Sequence, residues 1–300
     1  MTAAMILCAG FGTRLRPLTN LYPKPLLPIG DRPAFEHIVD QLRNRFSPIV
    51  INAHHEASSL AARVGSSAIC LVEPHILGTA GGIHNAASAL GPGDVLVWNG
   101  DIHAAIDING LMLQHQRHVR ERDAVATMVV QRAGADAKNK AVGLGADDTI
   151  VRLRDQAFGQ QIADANYLGV MLLSASYRDR LPQQGCVVGD FLLPLLAQGK
   201  SIGAFEHAGP WTDIGTPRDY FEANMRWLDR WGHSHCHSYY LADGARVEKG
   251  ARLSRTIVAS GAVVCAVGNV SQCVVLEGAT LRFPAQRGIL MADSTWVSVP

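Results

Sequence analysis

A loop rich in glycine and arginine follows the first apolar segment of the chain. Residues 3–8 form a strand-like run, and residues 10–19 after it read Gly-Phe-Gly-Thr-Arg-Leu-Arg-Pro-Leu-Thr. Glycines let backbone N–H groups approach a ligand closely, and successive N–H groups form a nest for anions. Arg14 and Arg16 add planar positive groups, and Lys24 lies between two prolines that restrict its backbone. The loop predicts phosphate binding, although it matches neither the Walker pattern nor GxGxxG. The alternative is a tight connection with a solvated face.

Two aspartates that are far apart in the sequence each follow a strand-like segment. Asp101 ends the run Asn-Gly-Asp at residues 99–101, and Asp213 lies in Trp-Thr-Asp-Ile-Gly-Thr-Pro at residues 211–217. Mg²⁺ is usually held by one or two carboxylates together with phosphate oxygens and water. The pair therefore predicts one shared Mg²⁺ site. The alternative role for each aspartate is that of a helix cap.

Strand-like and helical segments alternate along the first half of the chain, and they must position these residues. This order predicts βαβ units and an α/β fold with a Rossmann-like, mostly parallel sheet. Ligands bind at the carboxyl ends of such strands, so the loops after Cys8, Val72 and Trp98 are the expected sites of chemistry. The expected strands are residues 3–8, 48–53, 68–72 and 94–98, and the expected helices are residues 35–42, 58–64 and 82–90. Mixed strands follow residue 125, with helices at residues 189–196 and 217–231.

The last part of the chain has a different pattern. Between residues 245 and 281, apolar residues and glycines recur about every six residues without a helical period. A hexapeptide period predicts a short left-handed β-helix-like element whose coils stack on their neighbours. The alternative is an antiparallel β-meander. The predicted organisation is a catalytic domain at residues 1–231, a linker at 232–244 and a C-terminal domain at 245–300.

Composition excludes several classes of partner. The formal net charge is +1, so no overall field attracts nucleic acid or anionic membrane. Apolar runs such as residues 191–197 fall far short of the roughly 20 residues of a membrane span. The first residues contain no basic segment, so a cleaved signal peptide is not expected.

Cysteines and histidines give weaker signals. The six cysteines form no CxxC pair, which predicts reduced thiols and a cytoplasmic location. His233, His235, Cys236 and His237 lie close together in the predicted linker. Their spacing is not that of a zinc site, so a metal is the less favoured interpretation of the cluster.

Four segments, in order and spacing, resemble those of the sugar-phosphate nucleotidyltransferase (nucleoside-diphosphate-sugar pyrophosphorylase) family. Residues 10–30 closely resemble the family signature, and residues 73–82 resemble its nucleobase-recognition segment. Residues 99–101 and 211–217 match the segments that carry the family's two metal-binding aspartates. The resemblance covers residues 3–225, and a hexapeptide tail is also common in the family.

The resemblance implies transfer of a nucleoside monophosphate from a nucleoside triphosphate to a sugar 1-phosphate, with release of pyrophosphate. Catalysis of this kind depends on positioning and charge stabilisation. Arg14 would hold the β- and γ-phosphates, Lys24 would neutralise charge at the attacked phosphate, and Asp101 and Asp213 would hold Mg²⁺. Expected nucleotide-binding residues are Ala9, Gly10, Gly12, Thr13, Glu73, Gly78, Thr79 and Gly81.

The match is weaker on the sugar side. Many members have Glu-Lys-Pro where residues 154–157 read Arg-Asp-Gln-Ala, and Asn-Ala-Gly-Ile where residues 167–170 read Tyr-Leu-Gly-Val. The family's sugar-phosphate contacts are expected at Gly143, Asp155, Tyr167 and Gly169, with a solvated loop acid as the alternative for Asp155.

The run Leu-Gly-Thr-Ala-Gly at residues 77–81 and the hexapeptide tail favour GTP and mannose 1-phosphate as substrates. The alternatives are a UTP-dependent enzyme acting on an amino-sugar or muramic acid 1-phosphate, and a catalytically silent subunit that binds a nucleoside-diphosphate sugar. The silent subunit is disfavoured, because Arg14, Lys24 and both aspartates are present. A homo-oligomer is also possible.

Overall fold

The computed structural model describes residues 2–134, 141–235 and 238–300. Strands before residue 235 are β1 (Ala3–Leu7), β2 (Pro28–Ile29), β3 (Arg32–Pro33), β4 (Ile49–Ala53), β5 (Ile69–Val72), β6 (Val95–Asn99), β7 (Ile102–Ala104), β8 (Ala126–Arg132), β9 (Val142–Leu144), β10 (Ile150–Leu153), β11 (Gln156–Ala157), β12 (Ala163–Leu173), β13 (Ile202–Glu206) and β14 (Trp211–Asp213). Later strands are β15 (Tyr240–Leu241), β16 (Arg246–Val247), β17 (Ala251–Ser254), β18 (Ile257–Val258), β19 (Val263–Val264), β20 (Gly268–Val275), β21 (Thr280–Leu281), β22 (Ala285–Leu290) and β23 (Trp296–Ser298).

The helices are mostly short. The α-helices are α1 (Ala34–Leu42), α2 (Ala57–Val64), α3 (Gly78–Asn85), α4 (Ala87–Leu90), α5 (Ile108–Arg122), α6 (Leu193–Ala197) and α7 (Pro217–His235). A π-helix spans Val187–Leu192, and 3₁₀ turns lie at Thr13–Leu15, Leu18–Asn20, Lys24–Leu26, Ala146–Asp148 and Ala175–Arg180.

The chain divides into two compact units. The first contains Met1–Gly10 and Ile38–Trp211, and the second contains Phe11–His37 and Thr212–Pro300. The boundary therefore crosses the glycine loop between Gly10 and Phe11. The predicted division at residue 231 separates a catalytic domain from a C-terminal domain by function, and it stays a prediction.

A large sheet forms the centre of the first unit. Its main path is β11-β10-β9-β12-β6-β1-β4-β5, and β8 and β13 extend it through β12. β5, β4, β1 and β6 are parallel neighbours, whereas β12 runs antiparallel to β6. The predicted α/β fold with a mostly parallel central sheet is confirmed, and the four expected strands agree with β1, β4, β5 and β6 to within one residue at each end.

Apolar side chains explain why the parallel strands lie in the centre of this sheet. All five residues of β4, and the first four of β1 and β6, are buried. Strands buried on both faces read as continuous apolar runs, as these do. The buried cluster of the first unit joins these strands to α3, α4 and the helical segment that follows the π-helix.

The second unit packs around α7. Asn224 accepts a hydrogen bond from the Gly30 N–H at 2.9 Å, and the Tyr220 hydroxyl donates to the Pro28 carbonyl at 2.7 Å. A Cβ on Gly30 would lie 2.0 Å from the Trp227 ring, so only glycine fits there. α7 continues to His235, which makes the first residues of the predicted linker helical.

Short parallel strands build residues 240–300. Tyr240 pairs with Ile257 and Ile257 with Val274, so successive partners lie 17 residues apart. The same spacing relates β16, β19 and β21. Only the pairing of β22 with β23 is antiparallel among the described strands here, so the antiparallel-meander alternative is wrong. Among the described helices, none is long and apolar enough to cross a membrane.

Candidate active site

A cavity of about 270 Å³ lies at the carboxyl ends of the parallel strands in the first unit. Strand ends of a parallel sheet are where ligands are expected, because the connecting loops diverge there. The structure brings six of the predicted site residues together in its wall. The described lining residues are Leu7, Ala9, Gly10, Asn52, Glu73, Ile76, Gly78, Thr79, Asn99 and Asp101.

Buried polar groups fix three of these strand ends to one another. The Cys8 N–H donates to Asn52 Oδ1 at 2.7 Å, and Asn52 Nδ2 donates to Glu73 Oε1 at 2.7 Å. Glu73 Oε2 accepts the Leu77 N–H at 3.2 Å. Glu73 is only 1% exposed, so its carboxylate holds the ends of β1, β4 and β5 in place and orients the loop that begins α3.

Glycines allow the start of α3 to approach a neighbouring loop. Gly78 has φ of +78°, and a Cβ there would lie 2.4 Å from the Gly185 carbonyl oxygen. Thr79 Oγ1 accepts the Val187 N–H at 2.7 Å. Gly81 is buried against the Gln183 carbonyl, where a Cβ would lie 2.6 Å away, so it supports the wall without lining the cavity.

The turn after β6 delivers Asp101 to the cavity. The Gly100 N–H donates to the Leu7 carbonyl at 2.9 Å, and a Cβ on Gly100 would lie 2.5 Å from Cys8 Sγ. Only glycine therefore fits at residue 100. Asp101 follows directly and is half-buried in the cavity wall.

The predicted sugar-side residues are spread along the adjoining strands. Gly169 has φ of +72° and lies against Asn99, since a Cβ there would be 2.7 Å from Asn99 Nδ2. Burial raises the pKa of the Tyr167 hydroxyl. Gly143, Asp155 and Tyr167 are not among the described residues that line the cavity.

Asp155 lies in the hairpin of β10 and β11, and Gly143 lies on β9, which pairs with β10. Asp155 is exposed in the two-residue turn, because Leu153 pairs directly with Gln156. Gly143 is buried, and a Cβ there would lie 2.7 Å from the Arg152 Cβ.

The remaining predicted residues lie in the second unit. Arg14 Nη2 is 4.0 Å from Asp213 Oδ2, and the two side chains are 69% and 42% exposed. Gly215 lies beside both, because a Cβ there would be 3.3 Å from an atom of each. The structure thus pairs a predicted phosphate-binding cation with a predicted metal-binding carboxylate.

The glycine loop of the second unit is held by its own side chains. Gly12 has φ of +61°, and its carbonyl accepts the Thr19 hydroxyl at 2.9 Å. A Cβ on Gly12 would lie 2.9 Å from Thr19 Cγ2 and 3.3 Å from the Lys24 Cβ. Thr13 begins the first 3₁₀ turn and is exposed, and Lys24 begins the third and is half-buried.

The available carboxylates fit Mg²⁺ better than a metal held entirely by protein. Over residues 2–134, 141–235 and 238–300, no group of three or more His, Cys, Asp or Glu side chains is arranged to hold a metal. Mg²⁺ needs only one or two carboxylates when phosphates complete its octahedron. Of the histidine cluster, His233 and His235 end α7, while Cys236 and His237 lie outside the described residues.

Sequence reasoning missed two polar residues of the cavity. Asn52 is buried inside a strand of apolar residues, and that isolated amide was a signal that it bonds to a specific partner. The sequence predicts no separate role for Asn99, which lies in the segment that carries Asp101. Its side chain lies against Gly169 and lines the cavity.

Comparison with known proteins identifies the family of this chain. The family model described as Nucleotidyl transferase matches residues 3–230. The chain is 28% identical over 291 residues to a mannose-1-phosphate guanylyltransferase of Mycobacterium tuberculosis, which covers 92% of this chain and 80% of that protein. It is 29% identical over 236 residues to the bifunctional protein GlmU of Methanococcus maripaludis, and this match covers 76% of this chain and 54% of that protein.

A solved structure supports the fold. HddC from Yersinia pseudotuberculosis, in complex with GMP-PN, superposes with a TM-score of 0.61 at 22% identity, covering 76% of this chain and 100% of that one. The family match spans more than half of the chain and includes both groups of candidate residues. The chain therefore belongs to the nucleotidyl transferase family of enzymes.

Proposed function

We propose that this enzyme transfers a nucleoside monophosphate from a nucleoside triphosphate to a sugar 1-phosphate, with GTP and mannose 1-phosphate as the preferred pair. The observation that carries the proposal is the family match over residues 3–230, which contains every residue assigned a role below. The name of the Mycobacterium tuberculosis relative supports the substrate pair.

The cavity at the strand ends is the proposed nucleotide site. Backbone groups of Ala9 and Gly10, and of the loop at residues 77–81, would read the edge of the base. The buried bonds of Glu73 support this role, because they hold the loop in one conformation before a ligand arrives. Gly12 and Thr13 would contribute to the phosphate-binding loop.

The proposed chemical step is an in-line displacement at the α-phosphorus. An oxygen of the sugar phosphate forms a new P–O bond while the bond to the β-phosphate oxygen breaks, and pyrophosphate leaves with that electron pair. Arg14 would bind the β- and γ-phosphates and stabilise the leaving group, and Lys24 would neutralise the charge that develops at the α-phosphate. Both side chains are suited to the task because they extend from a loop whose backbone is held by Gly12, Thr19 and the 3₁₀ turns.

Asp101 and Asp213 are the proposed ligands of Mg²⁺. When bound, the ion neutralises phosphate charge during transfer. We expect Asp101→Asn and Asp213→Asn each to lower kcat by orders of magnitude while circular dichroism and melting temperature stay unchanged. If the two act as a unit, the double variant is little worse than either single one. Multiplicative losses in the double variant, or full activity in excess EDTA, would contradict a shared ion.

The sugar 1-phosphate is proposed to lie against β9, β12 and the turn at Asp155. Gly143 and Gly169 let protein side chains pack closely there, since a Cβ would lie 2.4 Å from Gln161 Oε1 and 2.7 Å from Asn99 Nδ2 respectively, and Tyr167 is half-buried on β12. Gly169 supports this placement, since it lies against Asn99 in the cavity wall.

The C-terminal strands are proposed to form a short left-handed β-helix. The 17-residue spacing of parallel partners between β15 and β21 supports it, because stacked coils of similar length give such a register, and the offset is 15 residues between β20 and β22. We further propose the division into a catalytic domain at residues 1–231, a linker at 232–244 and a C-terminal domain at 245–300, with a homo-oligomer as the assembly. A cytoplasmic location is proposed as well. None of the five cysteines that the structure describes takes part in a disulfide.

The proposal is tested by a panel of pyrophosphate-release assays. GTP, UTP, CTP, dTTP and ATP are each combined with mannose, glucose, N-acetylglucosamine and N-acetylmuramic acid 1-phosphates, with Mg²⁺ and with EDTA. We expect the highest kcat/KM with GTP and mannose 1-phosphate, and none in EDTA. A preference for UTP with an acidic or amino sugar would replace the substrate pair. No release from any pair would contradict the proposed reaction.

A further inference from the structure

The first unit contains a second cavity, of about 480 Å³. The candidate active site lies at the start of α3, and this second cavity lies at its end. It shares no described lining residue with the first cavity, and its volume lies within the roughly 300–1,000 Å³ typical of small-molecule sites. The described residues that line it are Ile83, His84, Ala87, Ser88, Gly91, Pro92, Ala175, Arg178, Asp179 and Leu181.

A buried arginine supplies its positive charge. Arg178 is 8% exposed, and its Nη1 donates to the carbonyls of Gly91 and Gly93 at 2.5 and 2.7 Å. These two acceptors use both protons of Nη1. Nε is buried and has no hydrogen-bond partner among the described residues. The Nε–Nη2 edge therefore remains, and such an edge of a guanidinium binds a phosphate or carboxylate through two parallel N–H···O bonds.

The environment of Arg178 makes its charge costly without an anion. Burial lowers the pKa of its guanidinium, and the charges of Asp179 and Asp94 offset this only in part. Neither carboxylate is hydrogen-bonded to Arg178 among the described residues. Buried charges are normally paired or bonded on all sides, because desolvation penalises them. An incoming oxyanion would supply the missing acceptors.

Other polar groups of the cavity suit hydroxyls better than a second anion. His84 Nδ1 donates to the Leu181 carbonyl at 3.0 Å, so Nε2 is the acceptor in the neutral ring. Ser88 and Asp179 are exposed residues that also line the cavity. A carboxylate accepts hydrogen bonds from hydroxyl groups and repels a second negative charge.

We propose that this cavity is a second ligand site, which binds a phosphate monoester that also carries hydroxyl groups. The phosphate pairs with the Nε–Nη2 edge of Arg178, and the hydroxyls donate to Asp179 and to His84 Nε2. The site is separate from the proposed catalytic cavity, so it stands whether or not the proposed substrates are the right ones.

Isothermal titration calorimetry of the full chain with glycerol 3-phosphate tests the assignment. Ser88→Trp fills the cavity from an exposed helix position, and Arg178→Lys removes the two-point edge while keeping the charge. We expect each to weaken binding at least tenfold, with a control variant, Asn85→Trp, unchanged because Asn85 is exposed and outside the lining. Circular dichroism shows that each variant is folded.

A second pair of titrations tests the hydroxyl contacts. Asp179→Asn is expected to weaken glycerol 3-phosphate several-fold and to leave or improve the affinity for inorganic phosphate, since the carboxylate repels the anion. Isotherms that Ser88→Trp and Arg178→Lys leave unchanged would overturn the proposal. They would place any bound phosphate elsewhere, including at the glycine loop.

Discussion

The two groups of candidate residues differ in how the fold holds them. In the first unit, Glu73 is 1% exposed; its Oε1 accepts a hydrogen bond from Asn52 Nδ2, and its Oε2 accepts one from the Leu77 N–H. In the second unit, Arg14 and Asp213 are 69% and 42% exposed and lie 4.0 Å apart. The first arrangement is a hydrogen-bonded network around a buried carboxylate, where a buried group left without its partner is costly. The second is a surface pair, and such pairs contribute little to stability.

The difference indicates two separate ways of contributing to function. A buried network fixes the shape of a binding site before the ligand arrives, so changing it alters stability and affinity together. Exposed charges can turn towards a ligand, so changing them alters turnover and leaves the fold intact.

The largest expected effect separates turnover from stability. Arg14→Ala removes the proposed cation for the leaving group, so kcat should fall by about 10²–10³-fold, on the scale of losing one electrostatic donor in a transition state. The melting temperature should stay within 1–2 °C, roughly the shift given by a small surface change. Steady-state kinetics and calorimetry check the two halves. Unchanged turnover would remove Arg14 from the mechanism, and Arg43→Ala serves as an exposed control.

Glu73→Ala should show the opposite behaviour. It leaves the buried Asn52 Nδ2 and the part-buried Leu77 N–H without their acceptor, which should lower the free energy of unfolding by about 1–3 kcal/mol. Urea unfolding measures the loss, and nucleotide titration should show weaker binding from the less ordered loop. Glu248→Ala, at an exposed carboxylate, is the matched control. Equal stability of the two variants would mean that the network does not support the cavity.

A buried histidine outside both groups gives a pH-dependent change in stability. His118 is 1% exposed and shares the Thr127 hydroxyl with His115. Burial is the main cause that lowers the pKa of His118 below its ordinary 6.5, and the positive charge of Arg117 lowers it further. The unfolded chain therefore takes up a proton that the folded chain resists, so this stability is complete above about pH 6.5 and is lost as pH falls below it.

The slope from His118 should approach about 1.4 kcal/mol per pH unit. Unfolding by urea from pH 7.5 to pH 5 measures it, and His118→Gln should reduce the slope, while His75→Gln at an exposed site should not. Parallel slopes in all three proteins would contradict the assignment. Because His118 is not among the described residues that line the candidate active site, this variant also shows how much activity changes through stability alone.

The smallest expected effect is on the sugar side. Asp155 is exposed in a two-residue turn, so Asp155→Ala should change the free energy of unfolding by less than about 0.5 kcal/mol. If it contacts the sugar, KM for the sugar 1-phosphate should rise about tenfold while kcat is unchanged, because the contact is equal in ground and transition states. Gln156→Ala in the same hairpin is the control. An unchanged KM would make Asp155 a solvated loop acid.

The sequence predicted the parts of the fold that local signals specify. β1, β4, β5 and β6 were expected because apolar runs end in glycine or polar residues, and the loops after them do form the cavity. The π-helix at Val187–Leu192 was expected only as part of a helix, since i to i+5 bonding has no separate residue pattern.

Long-range partners could not be predicted in the same way. That Asn52 bonds to both Cys8 and Glu73 depends on three strands meeting, and Arg178 reaches Gly91 across more than eighty residues. The division of the glycine loop between two units likewise depends on packing around α7, which no local pattern encodes.

The central claim is that the phosphoanhydride bond between the α- and β-phosphates is exchanged for one between the α-phosphate and the sugar phosphate, with no net hydrolysis. ³¹P nuclear magnetic resonance of a reaction containing GTP, mannose 1-phosphate and Mg²⁺ follows every phosphorus atom at once. The account predicts that a diphosphate diester and free pyrophosphate appear in equal amounts, as the signals of both substrates fall together. Formation of GDP and inorganic phosphate, with the mannose 1-phosphate signal unchanged, would contradict it.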